Sequence, residues 1–142
     1  MRTFAMIKPD AVKKQYIGEI LCAPTEHGLR IGEMRMVWWS RADAEEFYKE
    51  HEGKKFYPKL IEFMISGPLV MLVLTGKNAV EVWREVMGAT NPRMATANSL
   101  RGHYGTMMPR NAVHGSDSPE SADREIRFFF SRRFHDAPRC SV

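Results

Sequence analysis

The chain has 142 residues, which suits one domain with a real core. At 44% hydrophobic and 27% charged residues it is neither disordered nor fibrous, and it has no apolar stretch long enough to span a membrane. A net charge of +4 favours anionic partners such as nucleotides but is too small to argue for specific nucleic-acid binding. Cys22 and Cys140 lie far apart and form no disulfide framework. With no leader pattern at the N-terminus, the expected setting is reducing and cytoplasmic.

Thr3 to Ile7 reads as a short buried strand that ends at Lys8-Pro9, because proline cannot extend a ladder. Gly18 to about His27 reads as a helix, with Ile17, Ile20 and Leu21 on its apolar side and Gly28 just past its end. Pro24 conflicts with that helix and predicts an early stop or a kink. Leu29 to Trp38 alternates, with Gly32, Met34, Met36 and Trp38 on one face and Glu33 and Arg35 on the wetter one.

Ser40 with Asp43 resembles a capping box and opens a helix to about His51. A second helix runs from about Tyr57 to Ser66 and stops at Gly67-Pro68, which makes an αα-hairpin. Leu69 to Leu74 is a continuous apolar run, expected to be a central strand buried on both faces. Ala79 to Met87 is a helix with Val80, Trp83, Val86 and Met87 inward and Arg84 near its end. From Asn91 to Arg110 no periodicity emerges. A stretch of that length is usually functional, and its Arg93, Arg101, His103, Tyr104 and Arg110 suit closure over an anion, with a plain long surface loop as the equal alternative.

The stretch Asn111-Ala112-Val113-His114-Gly115-Ser116-Asp117-Ser118-Pro119-Glu120 carries the most chemistry. Ser118 can cap free N–H groups, and Pro119 suits a first helical position. The helix then runs to about Phe130, with Ala122, Ile126, Phe129 and Phe130 as its apolar stripe and Glu125 at the edge of that stripe. His114 is therefore held at a bend beside Ser116, Asp117 and Glu125, an arrangement suited to a nucleophilic imidazole fixed by a second group. Residues 131–142 read as a frayed tail. Met34, Met36, Met64 and Met71 read as core, and His27, His51, His103 and His135 as surface or loop. The order of elements predicts an α+β, ferredoxin-like split βαβ fold: a four-stranded antiparallel sheet with helices over one face and the αα-hairpin between strands two and three. No second domain or linker is visible, so 1–142 is expected to be one domain.

The His114 stretch resembles the active-site motif of nucleoside diphosphate kinases, Asn-x-(Val/Ile)-His-Gly-Ser-Asp. Ile7-Lys8-Pro9-Asp10, Phe63-Met64-Ile65-Ser66-Gly67-Pro68 and Gly88-Ala89-Thr90-Asn91-Pro92 also resemble signatures of that family, in its order and at similar spacing. The likeness spans roughly Arg2 to Phe130. It implies ping-pong transfer of the terminal phosphate of a nucleoside triphosphate to a nucleoside diphosphate through phosphohistidine at His114, with Glu125 and Ser116 orienting the ring.

By the same resemblance, Lys8, Arg84 and Arg101 serve the phosphates, and Thr90 adds a hydroxyl. Lys8 and Asn111 hold the ribose 3′-hydroxyl, and Tyr48 lies beside the histidine. Phe56 stacks on the base, with Met108 and Leu60 on the other side. Mg²⁺ arrives on the nucleotide, since no cluster has the spacing of a protein metal site. The implied assembly is a homo-oligomer, dimers building a tetramer or hexamer. One departure stands out: where the family commonly has Pro-Gly-Thr-(Ile/Leu)-Arg, this chain has Ala97-Asn98-Ser99-Leu100-Arg101. The competing reading is a nucleotide-binding or scaffolding protein of the same fold with little turnover. An RNA-binding module is weaker, because the aromatic-rich RNA-binding signature is absent.

Overall fold

A computed structural model describes residues 1–137. Its centre is the apolar run foreseen above: β3 (Leu69–Thr75) pairs antiparallel with β1 (Arg2–Ile7) on one side and with β2 (Arg30–Trp38) on the other. Beyond β1 lies β4 (Val113–Gly115), and beyond β2 the two-residue β5 (His135–Asp136), so the sheet order is β4-β1-β3-β2-β5. The first four strands have the ferredoxin-like order and are antiparallel throughout. The fifth strand corrects the reading of a tail frayed from 131, because main-chain bonds to Val37 and Trp38 order His135 and Asp136. The rest of that tail, including Cys140, lies outside the described residues.

A second correction concerns the layers. The crossover helices α2 (Ile17–Glu26) and α5 (Ala79–Met87) pack on one face, where Ala5, Ile7, Val70, Leu72 and Leu74 meet Ile20, Ala23, Trp83 and Met87. The other face is not bare. Phe4, Met6, Met71 and Val73 meet the hairpin α3 (Arg41–Phe47) and α4 (Tyr57–Met64), and also α7 (Pro119–Ser131). Both faces of β1 and β3 must be covered because both carry large apolar side chains.

Local chemistry explains the element ends. Ser40 and Asp43 form a reciprocal capping box at α3, and the Ser118 side chain accepts the Ser121 N–H at α7. Helix α2 runs through Pro24 to Glu26, and the buried proline ring becomes part of the core instead of ending the helix. A short helix α1 (Pro9–Lys13), opened by Pro9, escapes the sequence reading. The 91–110 stretch is not structureless. It holds a 3₁₀ turn at Pro92–Met94 and α6 (Leu100–Tyr104), which Ser99 caps through the Gly102 N–H. That serine takes over the turn chemistry of the divergent Asn98-Ser99 loop.

Met34 and Met36 are exposed, contrary to their reading as core, whereas Met64 and Met71 are buried. On α7 it is Phe128 that turns inward and Phe130 that faces out. Trp39, not Trp38, fills the core, and the Trp38 indole instead donates to the Ile65 carbonyl at 2.8 Å. Among the described residues no helix is long and apolar enough to cross a membrane. The central strand predicts the largest cavity cost: Leu72→Ala should lower unfolding free energy by roughly 2–5 kcal/mol, measured by urea denaturation.

Candidate active site

His114 sits in the middle of β4, opposite Met6 of β1. Its ring lies between Phe4 and Phe47, with centroids 6.0 and 5.2 Å away, both in edge-on geometry. Gly115 is required by packing: a Cβ there would come within 2.5 Å of the Trp83 ring. That indole donates to the His114 carbonyl at 3.2 Å, so α5 fixes the backbone on which the imidazole stands.

The imidazole is held from one side. Its Nε2 is 2.7 Å from Oε1 of Glu125, and the same carboxylate oxygen accepts the Ser116 hydroxyl at 3.0 Å. Glu125 and Ser116 are both buried, and the Ser116 oxygen accepts the Phe4 N–H at 3.3 Å. A carboxylate accepts only, so Nε2 carries the proton and donates it. Nδ1 is left with its lone pair. Asp117, placed near the histidine by sequence, does not share this task. Its carboxylate accepts the Ser121 hydroxyl at 2.6 Å, a bond that leads the causes holding its pKa below the usual value.

Three cations converge from separate elements. Lys8, at the end of β1, is buried and donates to the Asn111 side-chain oxygen at 2.8 Å. Burial, assisted by the like charge of Arg101, lowers its pKa to about 8, and Asp10 opposes that shift. Arg101, on α6, donates to the carbonyls of Gly88 at 3.2 Å and Val113 at 3.0 Å. Burial and then Arg84 lower its pKa to about 10, which leaves it charged at neutral pH. Arg84, exposed on α5, donates to the Asp117 carbonyl at 2.9 Å. The Asn111 amide donates to the Thr90 carbonyl at 2.9 Å, which ties the 88–92 turn to the start of β4.

Two donors in this region, the Tyr48 hydroxyl and Nε of Arg101, are buried without a partner among the described residues, as is the acceptor Oδ1 of Asp10. Burial, with Glu125 nearby, raises the Tyr48 pKa and keeps the phenol protonated. Such atoms cost stability unless a ligand satisfies them. Phe56 and Met108 are each about half exposed, and a run of rings from Tyr48 through His51 leads to Phe56. Leu60 instead packs in the core with Tyr48 and Phe63, 8% exposed. His51, read as an ordinary loop residue, lines the same hollow as His114.

The sequence reading gave no role to Asp10, Phe47 or Trp83, although Asp10 lay inside a motif already noticed. It also missed Arg124, which bonds Glu50 at 2.7 Å and lies 3.5 Å from the second oxygen of Glu125. Among the described residues no group of three His, Cys, Asp or Glu side chains is placed to hold a metal ion.

Comparison with known proteins follows the same line. The family model described as nucleoside diphosphate kinase matches residues 1–134. The chain is 51% identical to the nucleoside diphosphate kinase of Campylobacter lari over 131 residues, 92% of this chain and 96% of that protein. It is 47% identical to that of Archaeoglobus fulgidus over 130 residues, 92% of this chain and 86% of that one. The fold is similar to the orthorhombic crystal structure of the Aquifex aeolicus nucleoside diphosphate kinase, with a TM-score of 0.87 at 42% identity, covering 91% and 94% of the two chains.

The bonds of Arg101 make a stability prediction independent of any reaction. Arg101→Met should leave the Gly88 and Val113 carbonyls without this donor and cost roughly 1–3 kcal/mol, read from the urea midpoint.

Proposed function

The chain belongs to the nucleoside diphosphate kinase family, and from the geometry around His114 we propose how it carries out that reaction. It is a phosphotransferase that moves the terminal phosphoryl group of a nucleoside triphosphate to a nucleoside diphosphate. The observation that carries the mechanism is the 2.7 Å bond from Nε2 of His114 to Glu125, which leaves Nδ1 free as the nucleophile.

In the first half-reaction Nδ1 attacks the γ-phosphorus. The bond from that phosphorus to the bridging oxygen breaks, and the nucleoside diphosphate leaves with the electron pair. In the second half-reaction a terminal oxygen of another diphosphate attacks the phosphorus, the P–N bond breaks, and the lone pair returns to Nδ1. Nε2 keeps its proton throughout, so Glu125 orients the ring and stabilises its developing positive charge without taking the proton. Ser116 holds Glu125 in place.

Phosphoryl transfer is mainly positioning and charge stabilisation. Lys8, Arg84 and Arg101 supply positive charge to the phosphates, and Thr90 adds a hydroxyl. The two unpartnered donors, Tyr48 Oη and Arg101 Nε, are suited to phosphate oxygens, which supports the assignment of both residues. Lys8 and Asn111, already bonded to each other, are placed to meet the ribose 3′-hydroxyl together. Phe56 and Met108 offer apolar faces to the base, and a stacking contact tolerates any base.

The donor set at the site is cationic and fits phosphates rather than a bare metal ion, so Mg²⁺ is assigned to the nucleotide. Bound there, it neutralises phosphate charge. The chain works as one domain, its two core clusters sharing a single sheet. The exposed Met34 and Met36 on β2 favour assembly into homo-oligomers, with tetramer and hexamer as the two forms to distinguish by light scattering. The exposed free thiol of Cys22 suits a reducing compartment such as the cytoplasm.

Incubation with Mg²⁺ and γ-labelled ATP should place acid-labile, alkali-stable label on the protein. Added GDP should remove it, and His114→Ala should abolish it. Nucleotide binding without label would replace this mechanism with a binding or scaffolding role. A second outcome concerns pH. Lys8 is charged below about 8 in the free enzyme and loses its proton as pH rises through that value. The value of kcat/KM should therefore fall on the basic side of about pH 8. The fall in kcat should come at higher pH, because bound phosphates favour the ammonium form.

A further inference from the structure

Asp10 has no part in the reaction set out above, yet it is built into the floor of the site. It is 7% exposed. Its Oδ2 accepts the N–H of Ala112 at 3.1 Å, while Oδ1 is buried without a hydrogen-bond partner. Ala112 lies at φ +70°, a left-handed conformation that a residue with a Cβ rarely adopts. The Ala112 carbonyl accepts the Lys8 N–H at 2.8 Å, and the Lys8 ammonium bonds the Asn111 side chain. The turn Lys8-Pro9-Asp10 thus grips Asn111 and Ala112 at three points, two residues before His114.

A buried carboxylate is a costly clamp for backbone N–H groups alone, since a neutral amide oxygen would accept from them as well. What only the carboxylate supplies is negative charge. The charged groups acting on Lys8 are Arg101, of like sign, from α6, and Asp10, of opposite sign, from α1. Lys8 is in turn the charged group acting on Asp10.

We propose that Asp10 is a positioning residue for phosphoryl transfer: its charge keeps Lys8 in the ammonium form, and its bond to Ala112 holds Asn111 and His114 in place. The proposal rests on the reading of Lys8 as a phosphate-binding group of the kinase reaction. Burial and Arg101 push the Lys8 pKa down, and Asp10 pulls it back up. Burial also raises the Asp10 carboxyl, with Lys8 and then the Ala112 N–H opposing that rise.

The test uses the full chain with Asp10→Asn and Asp10→Ala. It reads the pH profile of kcat/KM and the titration of the Lys8 Cε by carbon NMR. Asp10→Asn keeps the acceptor and removes the charge. Both the Lys8 midpoint and the basic limb of kcat/KM should move to lower pH by about one unit, with about a twofold loss at pH 7 and little loss below about pH 6. Asp10→Ala should show the same shift and an added loss of kcat at every pH, because the clamp on Ala112 is gone. If Asp10→Asn leaves the midpoint and the basic limb where they are in the parent, the proposal fails.

A measurement on the parent protein covers the case in which a variant does not fold. The Lys8 resonance should show a second inflection at the pH where the Asp10 carboxyl carbon titrates, and its absence would overturn the proposal. Failure of the parent to take label at His114 would remove the kinase mechanism instead, while the Lys8 titration would still decide the role of Asp10.

Discussion

The site depends on keeping positive charge buried. Lys8 is 5% exposed, and its pKa of about 8 against an ordinary 10.5 represents a cost on the order of 3 kcal/mol for holding the ammonium at neutral pH. Arg101, 7% exposed, adds like charge beside it. Among the described residues neither cation has a close carboxylate partner of the kind that normally neutralises a buried charge. Their compensation comes from carbonyl oxygens of Gly88 and Val113, the amide oxygen of Asn111 and the more distant charge of Asp10. A pocket left short of negative charge favours a ligand that brings it, and nucleotide phosphates do so. In the proposed function that strain is relieved when the nucleotide binds, which is how an enzyme holds charge ready without reorganising its surroundings.

Around that charge, the sheet does the aiming. β4 is only three residues long, yet its pairing with β1 sets Met6 opposite His114 and Ile7 opposite Val113. That register brings Lys8, the next residue after β1, level with Ala112 and Asn111. A slip by one residue would send the imidazole to the opposite face, away from Glu125. The indole of Trp83 against the His114 carbonyl and the absence of a side chain at Gly115 hold the same register from the α5 side. The face that receives the histidine is the one covered by α3, α4 and α7, so the inserted hairpin brings Tyr48 and Phe56 to the side of the sheet that carries His114, the proposed nucleophile.

The divergent loop before Arg101 shows how a local change can keep a helix start. Ser99 accepts the Gly102 N–H and donates to the Thr96 carbonyl at 2.7 Å, so α6 is still capped and Arg101 still enters the site from its first turn. Gly88 allows this: a Cβ there would fall 2.4 Å from the Ser99 hydroxyl, at φ +81°. The loop and the 88–92 turn are thus matched to each other.

Much of this was legible in the chain itself. Leu69 to Leu74 announces a strand covered on both sides, Ser40 with Asp43 and Ser118 with Pro119 mark helix starts, and the ordered motifs point to the family and to His114, Lys8 and Arg101. These are local signals, fixed by backbone chemistry and hydrophobic period. What the sequence alone left undecided depends on which surfaces meet. The covered second face of the sheet, the inward turn of Phe128 in place of Phe130, and the exposure of Met34 and Met36 follow from neighbours far away in the chain. So does the place of Asp10 beneath Ala112; the family resemblance already named Glu125 as the group orienting His114, and packing shows how it gets there. Asp117 is closer in sequence, but helix α7 carries Glu125 back over the strand, and a hydrogen bond is decided by distance in space. Sequence determined which groups are present and the order in which they come; only tertiary packing decided which of them touch and which charges remain without a partner.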